Sequence, residues 1–155
     1  MASNEILHMV GFSVGGEEFC IDILRVQEII RMVDITKIPN APEYVEGIIN
    51  LRGRIIPILD FRKRCNLSGE AEWDKQHKRI VVAAIGERTI GLVVDRVSQV
   101  LKLEQAAIAS TPDVVKGFNS DFISGVGKDG DKLLILLDLE KLITQGELDD
   151  IEQAA

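Results

Sequence analysis

The most constraining feature of this chain is a segment that occurs twice. Residues 44–63 read YVEGIINLRGRIIPILDFRK, and residues 122–141 read FISGVGKDGDKLLILLDLEK. A shift of 78 positions places Gly47 on Gly125 and aligns most of the apolar residues between the two segments. Such a repeat predicts that the chain contains two similar structural units.

A second echo lies upstream of the first and supports the same conclusion. RVQEII at residues 25–30 matches RVSQVL at residues 96–101 with a shift of 71. Two echoes in one order predict two units side by side, in which the shared positions serve the fold. The copies differ most where residues 50–53 read NLRG and residues 128–131 read KDGD. Because this corner is not shared, function is expected there.

Short apolar runs between turn residues predict a mainly β fold of small closed barrels. The predicted strands and apolar runs are residues 7–14, 18–23, 44–50, 54–59, 79–85, 89–94, 99–103, 122–126 and 132–137. Residues 24–32 fit either a helix or a strand, and residues 68–78 are polar and loop-like. Asp60 and Asp138 are expected to cap helices, because a carboxylate accepts the free N–H groups of a first helical turn. The first of these helices is expected to run through Leu67.

Composition excludes several classes of function. A chain of 155 residues with 46% hydrophobic content forms one domain or two small units that share a core. The net charge of −7 argues against a nucleic-acid partner and against an anionic membrane surface. No apolar stretch approaches the roughly 20 residues that span a bilayer, and the first twelve residues lack a secretory pattern. We therefore expect a cytoplasmic protein whose Cys20 and Cys65 are reduced, without membrane insertion.

No residue pattern predicts catalysis, a metal or a cofactor. The chain has only two histidines, His8 and His77, and no nucleophile elbow, Walker loop, HExxH or GxGxxG motif. Asp129 and Asp131 flank a glycine, but an apolar strand follows where a calcium loop needs further ligands. Arg52 is the exception, because its planar guanidinium is suited to pairing with a carboxylate. The pattern leaves open whether Arg52 is an ordinary exposed residue or organises a binding face.

Four segments carry a family resemblance. They are residues 17–29 (EEFCIDILRVQEI), 38–39 (IP), 45–60 (VEGIINLRGRIIPILD) and 91–101 (GLVVDRVSQVL). Together they resemble the CheW family, the coupling proteins of bacterial chemosensory arrays. The resemblance covers nearly the whole chain and includes no receiver domain, so a stand-alone coupler is expected.

The resemblance implies a fold that agrees with the repeat. The family has a mainly β fold of two similar, small, five-stranded, SH3-like barrels that share a hydrophobic core, with short capping helices and a C-terminal helix. The corresponding ranges are 5–153 for the single domain, 16–79 for the first subdomain, 5–15 plus 80–143 for the second, and 138–152 for the C-terminal helix.

The resemblance also implies a function without catalysis or cofactors. Family members bridge the cytoplasmic tip of methyl-accepting receptors to the regulatory domain of the histidine kinase CheA. The implied receptor-binding residues are Glu28, Gly47, Asn50 and Arg52, with an ion pair between Glu28 and Arg52. The implied kinase-binding residues are Val10, Ile23, Val26, Val100 and Leu101, for which an ordinary core position is the alternative. The competing hypothesis is a small-barrel ligand-binding protein or enzyme that uses the Arg52 corner, although an enzyme needs a convergent set of titratable groups.

Overall fold

The computed structural model describes residues 5–65, 67, 75–104, 108, 122–129 and 132–154. The strands are β1 Ile6–Val14, β2 Glu17–Asp22, β3 Val26–Arg31, β4 Val45–Leu51, β5 Arg54–Asp60, β6 Arg79–Ile85, β7 Arg88–Val94, β8 Arg96–Glu104, β9 Ile123–Asp129 and β10 Lys132–Leu137. The helices are α1 Phe61–Arg64, α2 Leu139–Leu142 and α3 Gln145–Ala154, with 3₁₀ turns at Ile23–Arg25 and Lys75–His77. The segment that fitted helix or strand is therefore a 3₁₀ turn followed by β3.

The strands form two five-stranded sheets of identical topology. Sheet A has the order β8-β1-β2-β10-β9, and sheet B has the order β3-β6-β7-β5-β4. The two orders correspond strand by strand. In sheet B, the strands β3, β6, β7, β5 and β4 occupy the places that β8, β1, β2, β10 and β9 occupy in sheet A. Each sheet contains one parallel pair, β2 with β10 or β7 with β5. The prediction of two similar, mainly β units is confirmed.

The repeated segment also has the same backbone register in both sheets. In β4, the register with β5 slips between Val45 and Gly47. In β9, the register with β10 slips between Ile123 and Gly125, which lie 78 positions later. Because the bulge recurs at the shift found in the sequence, the echo reflects a shared backbone geometry and not composition alone.

Three clusters of buried apolar side chains hold the fold together. Strand residues alternate between faces, so Leu59 packs into a cluster that draws on both sheets, whereas its neighbour Ile58 packs into a cluster belonging to sheet B. Sheet A has a corresponding cluster around Met9 and Cys20. Each unit thus has its own small core, and a larger core is shared between them.

An aromatic contact joins the two units within the shared core. Phe61 of α1, which follows sheet B, packs edge-on against Phe12 and Phe19 of sheet A, with ring centroids 5.3 and 4.8 Å apart. This T-shaped arrangement is favourable for aromatic rings. The helix starts where expected, because the Asp60 carboxylate accepts a hydrogen bond from the Lys63 N–H at 3.2 Å. It ends at Arg64, before Leu67.

The sheets divide the chain differently from the predicted subdomains. β2 lies in sheet A, and β6 and β7 lie in sheet B, whereas the ranges 16–79 and 5–15 plus 80–143 assign them to the opposite units. The tight turn at Gly15 and Gly16 keeps β1 and β2 together as one hairpin. This hairpin completes sheet A by parallel pairing of β2 with β10, so the N-terminal strands complement the C-terminal ones.

Closure of the barrels was also predicted, and this detail was wrong. In the described residues the sheet orders end at β3 and β4 in one unit and at β8 and β9 in the other. A five-stranded sheet with strong curvature can bury its inner face without a complete ring of backbone hydrogen bonds. Side chains join the edges of sheet B instead, as described below.

The C-terminal helix is divided in two, contrary to the single helix predicted for residues 138–152. Asp138 caps α2 as expected, since its carboxylate accepts from the Glu140 N–H at 3.1 Å. Ile143 is extended, with φ −147° and ψ 138°. Thr144 and Glu147 then form a capping box, each side chain accepting the other's N–H at 3.0 Å. This second start signal begins α3.

Candidate functional site

The corner between β4 and β5 is a two-residue hairpin turn. Arg52 has φ 54° and Gly53 has φ 83°, so both central residues have the positive φ of a type I′ turn. The Asn50 side chain accepts a hydrogen bond from the Gly53 N–H at 2.9 Å. Asn50 therefore fixes the turn, and the turn holds Arg52 at the tip of the hairpin.

Arg52 forms a bidentate ion pair with Glu28. Its Nη1 lies 2.5 Å from Oε2 of Glu28, and its Nη2 lies 3.1 Å from Oε1. Hydrogen bonding to Glu28, followed by the attraction of its charge, raises the pKa of the Arg52 guanidinium above its ordinary value. Glu28 is on β3 and Arg52 follows β4, which are the two edge strands of sheet B. The expected contact is present, and it bridges the open seam of the sheet.

The ion pair lies at the surface of the protein. The Arg52 side chain is 74% exposed and that of Glu28 is 27% exposed. The turn carries Arg52 beyond the last residue pair of the ladder, Leu51 with Arg54, and so out into solvent. Exposed pairs contribute about 0–1 kcal/mol to stability. The pair therefore presents two oriented charges at the surface and adds little to the fold.

Gly47 supports this corner from inside. It is buried with φ 147°, and a Cβ on it would lie 2.1 Å from the Thr36 carbonyl oxygen. Thr36 and Ile48 exchange two backbone hydrogen bonds of 2.9 Å. The absence of a side chain lets the Thr36 segment lie against the edge of β4. A side chain at position 47 is therefore expected to disturb the fold as well as the corner.

The residues predicted to bind the kinase do not form one surface. Val100 is 52% exposed and Ile23 is 36% exposed, whereas Val10 is only 4% exposed and lies in the shared core. Val100 pairs with Val10, while Leu101 pairs with Met9. Since successive strand residues point to opposite faces, Leu101 belongs to the separate core of sheet A.

The corrected patch consists of Ile23, Val26 and Val100. Val26 is half-buried against the same shared core as Val10, whereas Ile23 and Val100 are the two exposed members. Val26 and Val100 belong to the two sequence echoes, whose strands β3 and β8 are edges of different sheets, and Ile23 lies in the 3₁₀ turn just before β3. The binding roles of the four corner residues and of this patch stay predictions.

Two exposed apolar residues escaped the sequence interpretation. Leu24 is 87% exposed, and its N–H is bonded to the Asp22 carboxylate at 2.9 Å. Ile55 is 58% exposed on β5. Ile55 and Ile56 are consecutive in β5, and Ile56 is buried. Because successive strand residues face opposite sides, the outward position of Ile55 is a signal that the sequence offered, whereas Leu24 lies in a 3₁₀ turn to which this alternation does not apply.

A buried acidic residue joins the two units. Asp95, between β7 and β8, has a side chain that is 8% exposed and pairs with Arg62 of α1 at 2.9 Å. The same carboxylate accepts a hydrogen bond from the Gly15 N–H at 2.9 Å. Asp95 thus connects the helix that follows sheet B to the β1–β2 hairpin of sheet A.

The described residues offer no obvious site for metal chemistry. Among them, no three His, Cys, Asp or Glu side chains gather closely enough to hold a metal ion. Burial raises the pKa of the Cys20 and Cys65 thiols to about 12, so both are poor nucleophiles in the folded protein. No helix in the described ranges has the length and apolar character needed to cross a membrane.

Comparisons with known proteins agree with the topology. The model of the CheW-like domain family matches residues 8–147. The chain is 38% identical over 144 residues to the chemotaxis protein CheW of Klebsiella aerogenes, covering 93% of this chain and 86% of that protein. It is 36% identical over 148 residues to CheW of Treponema pallidum, covering 94% and 87%. The crystal structure of the scaffolding protein TtCheW from Thermoanaerobacter tengcongensis superposes with a TM-score of 0.82 at 34% identity, covering 93% of this chain and 92% of that one.

Proposed function

This chain belongs to the CheW-like domain family, and on that premise we propose that it is a non-enzymatic chemotaxis adaptor. It couples the cytoplasmic tips of methyl-accepting chemoreceptors to the regulatory domain of a CheA-type histidine kinase. The observation that carries the proposal is the family match over residues 8–147, together with relatives named as chemotaxis proteins. Such an adaptor works in the cytoplasm, recruited to receptor arrays at the membrane.

The receptor contact is assigned to the corner of sheet B. Arg52 and Glu28 present oriented charges there, and Asn50 fixes the turn that carries them. The NLRG corner occurs once in the sequence. By the same shifts Gln99 takes the place of Glu28, and Gly130, which lies outside the described residues, takes the place of Arg52. An unshared, charged corner on a duplicated scaffold favours recognition of one specific partner.

The kinase contact is assigned to the apolar patch of Ile23, Val26 and Val100. Adaptors need apolar surface that is open before binding, because partner burial of a few such residues supplies most of the affinity. The exposed fractions of Val100 and Ile23, 52% and 36%, meet this requirement.

The geometry disfavours the ligand-binding or enzymatic alternative at Arg52. Both terminal nitrogens of its guanidinium already bond the Glu28 carboxylate. A small anionic ligand would have to displace that carboxylate, and no other titratable groups converge on the exposed tip of the turn among the described contacts.

Binding measurements on matched variants test the division into two faces. Arg52→Ala should reduce binding to a receptor cytoplasmic fragment more than binding to the kinase regulatory domain. Raised salt should likewise weaken the receptor contact first, because contacts that depend on charge are screened. Lys102→Ala, which removes an exposed charge from β8 of sheet A, is the control. Equal losses of both partners in a folded Arg52→Ala variant would contradict the division.

A further inference from the structure

A basic pocket lies where β3 ends and β6 begins. Its volume is about 410 Å³, and it is lined by Arg31, Met32, Gln76, Lys78 and Arg79. Three of these five residues are basic, although the whole chain has a net charge of −7. The pocket therefore concentrates positive charge at one place in a protein that is acidic overall.

The two arginines of the basic pocket face each other across the sheet. Arg31 is paired with Arg79 in the antiparallel register of β3 and β6. Residues that are directly opposite in such a ladder extend from the same face, with Cβ atoms about 4.5–5.5 Å apart, and like charges at these positions destabilise the sheet. The free protein thus contains an unfavourable interaction here, which a bound anion would relieve.

No carboxylate neutralises the basic pocket within the part of the chain that the structure describes. Arg31 and Lys78 form no ion pair there, whereas five other arginines each pair with a carboxylate. Arg79 is held by backbone, since its Nη1 donates to the carbonyl oxygens of Gln76 at 2.7 Å and Lys78 at 2.8 Å. These two bonds orient the Arg79 guanidinium and leave its charge uncompensated.

The duplication supplies an internal comparison for the basic pocket. The shift of 71 places the two arginines on Lys102 and His8, which are likewise opposite each other, in the β1–β8 ladder. Leu7 takes the place of Lys78. The equivalent position in sheet A therefore has neither the arginine pair nor the third basic residue. A property that depends on residue 31 and not on residue 102 comes from the basic pocket and not from the shared fold.

The charge and size of the basic pocket favour a small phosphate-bearing anion. Guanidinium groups match the geometry of phosphate oxygens, and a lysine adds a point charge. A volume of about 410 Å³ lies within the range of small-molecule sites. The net charge of −7 opposes a long polyanion or an anionic membrane surface. A small anion contacts the three basic side chains without approaching the acidic remainder of the surface.

We propose that the basic pocket binds a small anion with two linked phosphate groups, held by Arg31, Lys78 and Arg79. The negative charge of a diphosphate balances three basic side chains and offsets the repulsion between the arginines, so the anion stabilises the folded chain. This inference is independent of the proposed function, because none of the three residues is assigned to the receptor contact or to the kinase contact.

Calorimetric titration with inorganic pyrophosphate at fixed ionic strength tests the proposal. The unaltered chain should bind one pyrophosphate. Arg31→Gln and Lys78→Gln should each weaken binding about tenfold or more, because each removes a hydrogen bond to a charged group. Lys102→Gln, at the position equivalent to Arg31, should leave binding unchanged. Equal weakening by all three substitutions would assign the effect to overall charge and overturn the proposal, as would failure of the unaltered chain to bind pyrophosphate.

Thermal unfolding gives a second readout of the same site. Arg31→Gln should raise the melting temperature of the free chain, because it removes one of two opposed charges. Pyrophosphate should raise the melting temperature of the unaltered chain and not that of Arg31→Gln. A rise that persists in this variant would be a general salt effect and would contradict the proposal. Tighter binding of a single-stranded oligonucleotide, weakened by the same substitutions, would assign the basic pocket to nucleic acid and also overturn it.

Discussion

Gly47 makes the sharpest prediction about the corner, because the cost of a side chain there can be worked out from the structure. A Cβ would lie 2.1 Å from the Thr36 carbonyl oxygen and 2.8 Å from Cγ2 of Ile35. The first contact is with backbone, so the Thr36 segment must move away from β4. Its two hydrogen bonds with Ile48, both 2.9 Å, are then lost.

The expected magnitude for Gly47→Ala is the sum of two effects. A non-glycine residue at such a positive φ costs about 1–3 kcal/mol. Two backbone hydrogen bonds contribute about 0.5–1.5 kcal/mol each. The free energy of unfolding should thus fall by about 2–6 kcal/mol, a large fraction of the roughly 5–15 kcal/mol of a typical domain.

Gly16→Ala is the matched control. Gly16 has φ 82°, and a Cβ there would meet no atom within 4 Å, so this variant carries backbone strain without a clash. Denaturant unfolding of both variants measures the difference, which should equal the cost of displacing Thr36. If Gly47→Ala is no more destabilised than Gly16→Ala, the structural role assigned to Gly47 is incorrect.

Three further predictions concern other parts of the molecule. Val100→Asp should weaken binding to the kinase regulatory domain without lowering the melting temperature, whereas Val10→Asp, in the buried row beside it, should unfold the protein; unfolding by both would place Val100 in the core. Asp95→Asn should lower the free energy of unfolding measured in urea titrations. Breaking a buried ion pair costs about 3–5 kcal/mol, and we expect the lower end of this range because the Arg62 side chain is 23% exposed. An unchanged unfolding midpoint would argue against the link between the units. Burial and the hydrogen bond to Glu147 raise the pKa of Tyr44 from 10.0 to about 12, so the stability it contributes should be complete below pH 10 and lost as pH rises toward 12. Because Tyr44 is the only tyrosine, its ultraviolet absorbance reports the titration directly, and an ionisation midpoint near 10 in the folded protein would contradict this.

Local signals in the sequence determined much of the fold. The repeat predicted two equivalent units, and the shift of 78 reappears in the strand register at Gly47 and Gly125. Asp60 and Asp138 cap helices at equivalent places, because a carboxylate beside free N–H groups needs no distant partner. The Arg52-Gly53 corner is likewise a local structure, set by the turn and by Asn50.

Tertiary structure alone decided how these parts combine. The sequence grouped β2 with the first unit, but β2 pairs with β10, which is more than a hundred residues away, and no local pattern encodes such a pairing. The sequence also does not encode which face of sheet A Val100 and Leu101 occupy. A bulge beside Val10 in the β1–β8 pairing sets which residues of β8 face each side. Likewise α3, which follows the last strand of sheet A, packs on β5 of the other sheet, a contact between segments far apart in the sequence. Strand propensity and helix caps act over a few residues. The pairing of distant strands, the face that each side chain occupies and the docking of helices depend instead on which apolar surfaces meet when the whole chain collapses.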